Sequence, residues 1–310
     1  MVLTESMVVT HGSLQRATGR CALTIGNFDG VHRGHRALMD RVIAKSRELD
    51  LTSCVLTFEP HPREFFAAES APARLTRLRD KLELMAAAGV ERVHVARFDA
   101  RFAALSAQRF IEDVLVHGLG ARWLLVGRDF RFGARRAGDY GVLEAAGRQY
   151  GFAIESMGDV LFDGVRVSSS AVRAALKAGD LVAAERLLGH PYTISGRVAH
   201  GAKLGRSLGF PTANIVLRRA SPLSGIFVVE VDRLGRGVAS LGRRPTVNPV
   251  PMPLLEVHLF DRHEELYGEH LRVHFLKKLR DEQQFAGLDA LKEAIANDAR
   301  QAREYFASNG

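Results

Sequence analysis

Two kinds of hydrophobic patterning divide the chain. Up to about residue 188, short apolar runs rich in β-branched residues alternate with segments whose apolar positions recur at helical spacing. CALTIGNF (21–28) is such a run, and it precedes a helix carrying Leu38, Val42, Ile43 and Leu49. LTSCVLTF (51–58), ERVHVARF (91–98) and RWLLVG (122–127) predict further strands. LRDKLELMAAAG (78–89), which stops on a glycine, and AQRFIEDVLVHGLG (107–120) predict helices. Strands alternating with helices predict βαβ units: an α/β, doubly wound parallel sheet.

The pattern then changes. SSAVRAALKAGDLVAAERLLGHP reads as two short helices split by Gly179 and Asp180. From Tyr192 onward short alternating strands take over. In LEVHLFD (255–261), Leu255, Val257 and Leu259 share one face, while Glu256, His258 and Phe260 share the other. LRVHFL (271–276) repeats the alternation with Leu271, Val273 and Phe275. Strands at this spacing predict a small antiparallel barrel. LDALKEAIANDARQAREYF (288–306) predicts a closing amphipathic helix. The expected domains are therefore 1–187 and 188–310.

Composition narrows the class. A chain of 310 residues with 46% hydrophobic and 25% charged positions has enough apolar material for two ordinary domains. No apolar run approaches the roughly 18 residues of a membrane helix, so no membrane partner is expected. The opening MVLTESMVVTHGS has no basic region followed by a long apolar stretch, so no signal peptide is expected. Cys21 and Cys54 are the only cysteines and lack CxxC spacing, which argues against a disulfide framework or zinc site and for a reducing, cytoplasmic setting. The net charge of +8 attracts polyanions, nucleotide phosphates among them.

Chemistry concentrates at the first strand-to-helix handover, TIGNFDGVHRGHRAL (24–38). In an open parallel sheet ligands bind beyond the carboxyl ends of the strands. A helix N-terminus there offers free N–H groups and a positive dipole, both suited to phosphate. Glycines at 26, 30 and 34 let a ligand approach the backbone, and His32 and His35, three apart, can face one anion. RVSSSAVRAAL (166–176) adds a second phosphate-type element. Its serines are N-cap candidates whose hydroxyls also suit phosphate oxygens, and Arg173 follows one turn later.

The H-x-G-H pattern resembles that of nucleotidyltransferases, a superfamily that includes class I aminoacyl-tRNA synthetases. The resemblance implies that His32 and His35 stabilise charge at the α-phosphate of a nucleoside triphosphate. It also implies that Ser168, Ser169, Ser170 and Arg173 hold pyrophosphate. IGNFDGVHRGH, FEPHP, GRDFRFG and VSSSAVR, in order, further resemble the FMN adenylyltransferase module of bacterial bifunctional FAD synthetases. That likeness places Gly26, Phe28, Asp29 and Gly30 at the nucleotide. It places His61, Asp129, Phe130 and Phe132 at the flavin.

The second half carries its own set. In GRVAHGAKLGRSLGFPTANI (196–215), Gly201, Gly205 and Gly209 leave little side-chain bulk, while Lys203 and Arg206 can neutralise phosphate. Thr212 and Asn214 share a face of an extended segment, and their oxygens suit Mg²⁺. GFPTAN resembles the riboflavin kinase (flavokinase) family, a six-stranded barrel, as do SGIFVVEV (224–231) and LGRRPTV (241–247). The resemblance makes Glu256 the general base toward the ribityl hydroxyl. Two positions depart from that family's pattern: Ser240 stands where an asparagine is usual, and Phe227 where a tyrosine is usual.

The expectation is a bifunctional enzyme. It phosphorylates riboflavin with ATP and Mg²⁺ to FMN, then adenylylates FMN with ATP to FAD, releasing pyrophosphate. Two rivals stand beside it. One is a nucleotidyltransferase for another small phosphate, against which the GFPTAN barrel argues. The other is a basic nucleic-acid-binding protein on a retired nucleotidyltransferase fold. Against that, no stretch interleaves basic and aromatic residues as nucleic-acid platforms do. Oligomeric state is not encoded in any of these motifs.

Overall fold

The structure, a computed structural model, describes residues 7–12, 16–17, 19–200, 209–217, 219–243, 253–262 and 264–309. The chain packs as two compact units, Met1–Pro72 with Leu78–Val167, and Ala73–Arg77 with Ser168–Gly310.

The first unit is built on six parallel strands: β1 (Val8–His11), β2 (Cys21–Ile25), β3 (Thr52–Glu59), β4 (Arg92–Arg97), β5 (Ala121–Gly127) and β6 (Ala153–Met157). Their spatial order is β1-β4-β3-β2-β5-β6. Helices α1 (Arg33–Glu48), α2 (Pro62–Phe66), α3 (Leu78–Ala87), α4 (Ala100–Ala103), α5 (107–118) and α6 (Tyr140–Tyr150) connect them. Every residue of β2 is buried, as a strand covered on both faces requires. On one face Leu23, Leu56 and Leu124 pack with Ile111, Leu115 and Leu143 of α5 and α6. On the other, Val55 and Val93 meet Met39 and Met85 of α1 and α3, and Trp123 and Leu125 meet Val42. The doubly wound sheet is thus the one the alternating pattern predicts.

The edge strands β1 and β6 escaped that pattern. β1 has three exposed residues of four, and β6 mixes Glu155 and Ser156 into a half-covered edge. A short hairpin, β7 (Leu161–Phe162) with β8 (Val165–Arg166), completes the unit.

In the second unit come α7 (Ser169–Ala178) and α8 (Leu181–Leu188). Gly179 ends α7 at φ 76° and Asp180 caps α8, its carboxylate accepting from the Ala183 N–H at 2.8 Å. Six antiparallel strands then close a barrel: β9 (Thr193–Ala199), β10 (Ala213–Val216), β11 (Gly225–Val231), β12 (Gly235–Arg243), β13 (Pro253–Leu259) and β14 (His270–Arg280), in the order β10-β13-β12-β11-β14-β9. Leu255, Val257, Phe227 and Val273 fill its interior. The closing helix α9 (Leu288–Asn309) lays Ala299, Ala302 and Phe306 on the outer face of the barrel, over Ile226, Val228 and Phe260. No helix among the described residues is long and apolar enough to cross a membrane.

Leu124 is fully buried on the strand beside β2. Leu124→Ala is expected to cost the first unit about 2–5 kcal/mol, read by denaturant unfolding.

Candidate active sites in the two units

The strand order reverses beside β2: β3, β4 and β1 lie to one side, β5 and β6 to the other. Loops leaving the carboxyl ends of β2 and β5 therefore flank a crevice at a topological switch point. The first loop is Gly26–His32 and the second carries Asp129, Phe130 and Phe132.

The β2 loop is tightly wound. Phe28, Gly30 and Val31 have φ of 49°, 91° and 43°, a left-handed conformation that costs the two non-glycine residues energy. The Phe28 ring is fully buried, under Gly26 and 5.0 Å from the His35 ring, so what Phe28 can present to a nucleotide is its backbone. Asp29 and His32 are also buried.

His32 is the N-cap of α1, and its Nδ1 accepts from the His35 N–H at 3.3 Å. The two imidazoles stack with centroids 3.6 Å apart and planes 14° from parallel. Gly34 leaves the His32 ring close to the helix backbone, since a Cβ would stand a tight 3.2 Å from it. His35 Nδ1 is buried with no hydrogen-bond partner among the described residues. Burial, and then the charges of His32 and Lys81, hold His35 well below its ordinary imidazole pKa.

Lys81 is a residue that the sequence motifs passed over. It lies on α3, is 4% exposed, and its Nζ donates to the Asn27 carbonyl at 2.6 Å. Thr57 Oγ1 donates to the same oxygen at 3.2 Å.

The other residues assigned to this site stand on nearby strand ends. His61 caps α2 after β3, its Nδ1 accepting from the Arg63 N–H at 3.1 Å. Asp129 is exposed after β5. Phe130 stacks on Phe132 at 5.6 Å, and Phe132 is itself part of the core. A second aromatic group went unread in the sequence: Phe65 and Phe66, both exposed, gather with Phe98 at the ends of β3 and β4.

In the second unit, Ser168 is the N-cap of α7 and accepts from the Ala171 N–H at 3.2 Å. Ser169 and Ser170 form the first turn. Arg173 follows, its Nε donating to the Ala73 carbonyl at 2.6 Å.

The barrel gathers its residues by register. Asn214 of β10 pairs with Glu256 of β13, which pairs in turn with Ser240 of β12. Cross-strand partners point to the same side, so these form one row. Glu256 faces away from the buried Leu255 and Val257, as the alternation predicts. It lines a cavity of about 260 Å³ with Thr212, Ser240 and His258, walled on one side by Leu291 and Ile295 of α9. His258 Nδ1 donates to the Pro211 carbonyl at 2.9 Å, which holds the turn that carries Thr212. Burial lowers the pKa of His258, in keeping with a neutral ring.

Asn214 Oδ1 is buried with no hydrogen-bond partner among the described residues, while its Nδ2 donates to the Thr212 carbonyl at 3.2 Å. An orphaned amide oxygen beside a threonine fits a hard divalent cation. Among the described residues no three His, Cys, Asp or Glu side chains cluster as a ready-made metal site.

Two acidic residues here lay outside the motifs. Glu282 lies against Gly242, where any Cβ would overlap its carboxylate, and lines the same cavity. Asp298, 3% exposed, binds Arg280 through both oxygens at 2.9 and 2.6 Å. Phe227 is fully buried inside the barrel. Gly209 is left-handed, at φ 91°. Gly201, Lys203, Gly205 and Arg206 lie outside the described residues.

Comparison with known proteins agrees with both halves. Residues 14–171 match the FAD synthetase family and residues 188–306 match the riboflavin kinase family. The Escherichia coli K12 bifunctional riboflavin kinase/FMN adenylyltransferase is 54% identical over 301 residues, covering 96% of each chain. Its Haemophilus influenzae counterpart is 47% identical, covering 93% of this chain and 95% of the other. A solved structure described as a macrolide-efflux protein from Streptococcus pneumoniae superposes with a TM-score of 0.79 at 27% identity, over 96% of this chain and 99% of the other. The chain belongs to the bifunctional riboflavin kinase/FMN adenylyltransferase family.

Proposed function

We propose that the chain makes FAD in two steps at two sites. The barrel transfers a phosphoryl group from ATP to riboflavin, giving FMN and ADP. The first domain, which we take as 1–187 so that it includes α7 and α8 as well as the parallel sheet, transfers AMP from a second ATP to the FMN phosphate, giving FAD and pyrophosphate. The row Asn214–Glu256–Ser240 carries this reading. A carboxylate on the cavity side, next to an orphaned amide oxygen, supplies the base and the metal ligand that phosphoryl transfer to an alcohol needs.

In the first step Glu256 accepts the proton of the terminal ribityl hydroxyl. Thr212 and Asn214 would hold Mg²⁺, which neutralises phosphate charge on ATP when bound. Gly201, Gly205 and Gly209 would let the triphosphate approach the backbone, and Lys203 and Arg206 would neutralise its charge. In the second step the N-terminus of α1, His32 and His35 stabilise charge at the α-phosphate, with no covalent intermediate. Ser168, Ser169, Ser170 and Arg173 hold the leaving pyrophosphate. Asp129, Phe130 and His61 place FMN, and Phe132 supports Phe130 from the core. The free thiols Cys21 and Cys54 fit a reducing compartment, the cytoplasm.

Incubation with riboflavin, ATP and Mg²⁺, followed by chromatographic separation of flavins, should yield both FMN and FAD; neither product would sink the reading. Glu256→Gln is expected to slow FMN formation about 10²–10⁴-fold, the usual contribution of a general base, yet still convert supplied FMN to FAD. His32→Ala should do the reverse, accumulating FMN with FAD formation slowed about 10²–10³-fold.

A further inference from the structure

A lysine in a protein core is rare, and a buried ammonium needs a defined task. Lys81 sits on α3, a helix that none of the nucleotide motifs touches, and is 4% exposed. Its Nζ reaches the carbonyl of Asn27, the residue that opens the left-handed turn Phe28–Val31. Thr57 of β3 approaches that same oxygen from the strand side. One backbone carbonyl is thus gripped by a cation and a hydroxyl, immediately before the most strained backbone of the site. We propose that Lys81 is a positioning residue for adenylyl transfer: its ammonium clamps the Asn27 carbonyl, holds the turn in its left-handed form, and so fixes the imidazole of His35. The proposal rests on the reading of His32 and His35 as the adenylyl-transfer pair.

The second consequence is electrostatic. Among the described residues, the charged groups that act on His35 are His32, one turn back at the start of its own helix, and Lys81 from α3. Phe28, its other close neighbour, carries no charge. Lys81 therefore disfavours a proton on His35, in the same direction as burial. His35 meets the triphosphate as a neutral ring, and the positive charge that remains at the turn is the ammonium beneath it. Removing the Lys81 charge raises the pKa of His35, so His35 becomes protonated at a higher pH and the acid limb of the rate profile moves up.

The test uses the full chain with three variants: Lys81→Met, Lys81→Arg and Thr57→Val. Lys81→Met should slow conversion of FMN to FAD at least 100-fold while riboflavin phosphorylation stays within twofold of wild type. In the same variant the His35 resonance, followed by NMR in histidine-labelled protein, should titrate at a higher pH than in wild type, as loss of a neighbouring like charge requires. Lys81→Arg should restore the wild-type titration. Thr57→Val, which removes only the hydroxyl grip, should slow FAD formation without moving the titration. Wild-type FAD synthesis with unchanged His35 titration in Lys81→Met would overturn the proposal. So would a folded Lys81→Arg protein, by circular dichroism, whose His35 titrates as in Lys81→Met. Failure of the wild-type chain to form FAD at all would instead overturn the two-step reading on which the proposal rests.

Discussion

The first site depends on β2 being hydrogen-bonded on both edges, to β3 and to β5. That pairing carries through to the Gly26 N–H, which donates to the Leu56 carbonyl at 3.1 Å. The chain is released from the sheet only at the next residue. It then has the few residues from Asn27 to His32 in which to turn back and begin a helix. A turn so short is paid for in left-handed backbone at Phe28 and Val31. The full burial of Phe28 offsets that cost and pins the loop to the core. His32 closes the turn, its ring capping the helix that follows.

Much of this was legible in the sequence because the relevant signals are local. The strand, the glycines and the two histidines fall within fifteen residues, and the periodicity of the flanking segments places them at a strand-to-helix junction. Glu256 was legible for the same reason: period-two alternation in LEVHLFD fixes its face without knowledge of its neighbours. Ser240 and Asn214 could be named as motif positions, but their alignment in one row with Glu256 is a matter of register, which a single strand does not encode.

The residues that escaped were those whose role is made by long-range contact. Lys81 belongs to LRDKLELM, where a lysine reads as part of a solvated helix face; only the packing of α3 beneath the β2 loop buries it. Glu282 lies forty positions from Gly242, and nothing in either segment announces that one sits on the other. Phe65 and Phe66 lie on α2 and Phe98 follows β4, and their grouping follows from the adjacency of β3 and β4 in the sheet. Phe28 shows the converse. Its place in the motif suggested a ligand contact, whereas its side chain is fully buried in the core.

The Arg280–Asp298 pair joins the last barrel strand to the closing helix, and both residues border the cavity that holds Glu256. One wall of that cavity is therefore a helix held on the barrel by a buried ion pair and an apolar seam. A substrate that binds only when the wall is in place stabilises the docked state by mass action, in proportion to the logarithm of its concentration over its dissociation constant. Any ligand that packs against that wall is thereby coupled to how firmly the closing helix is held on the barrel.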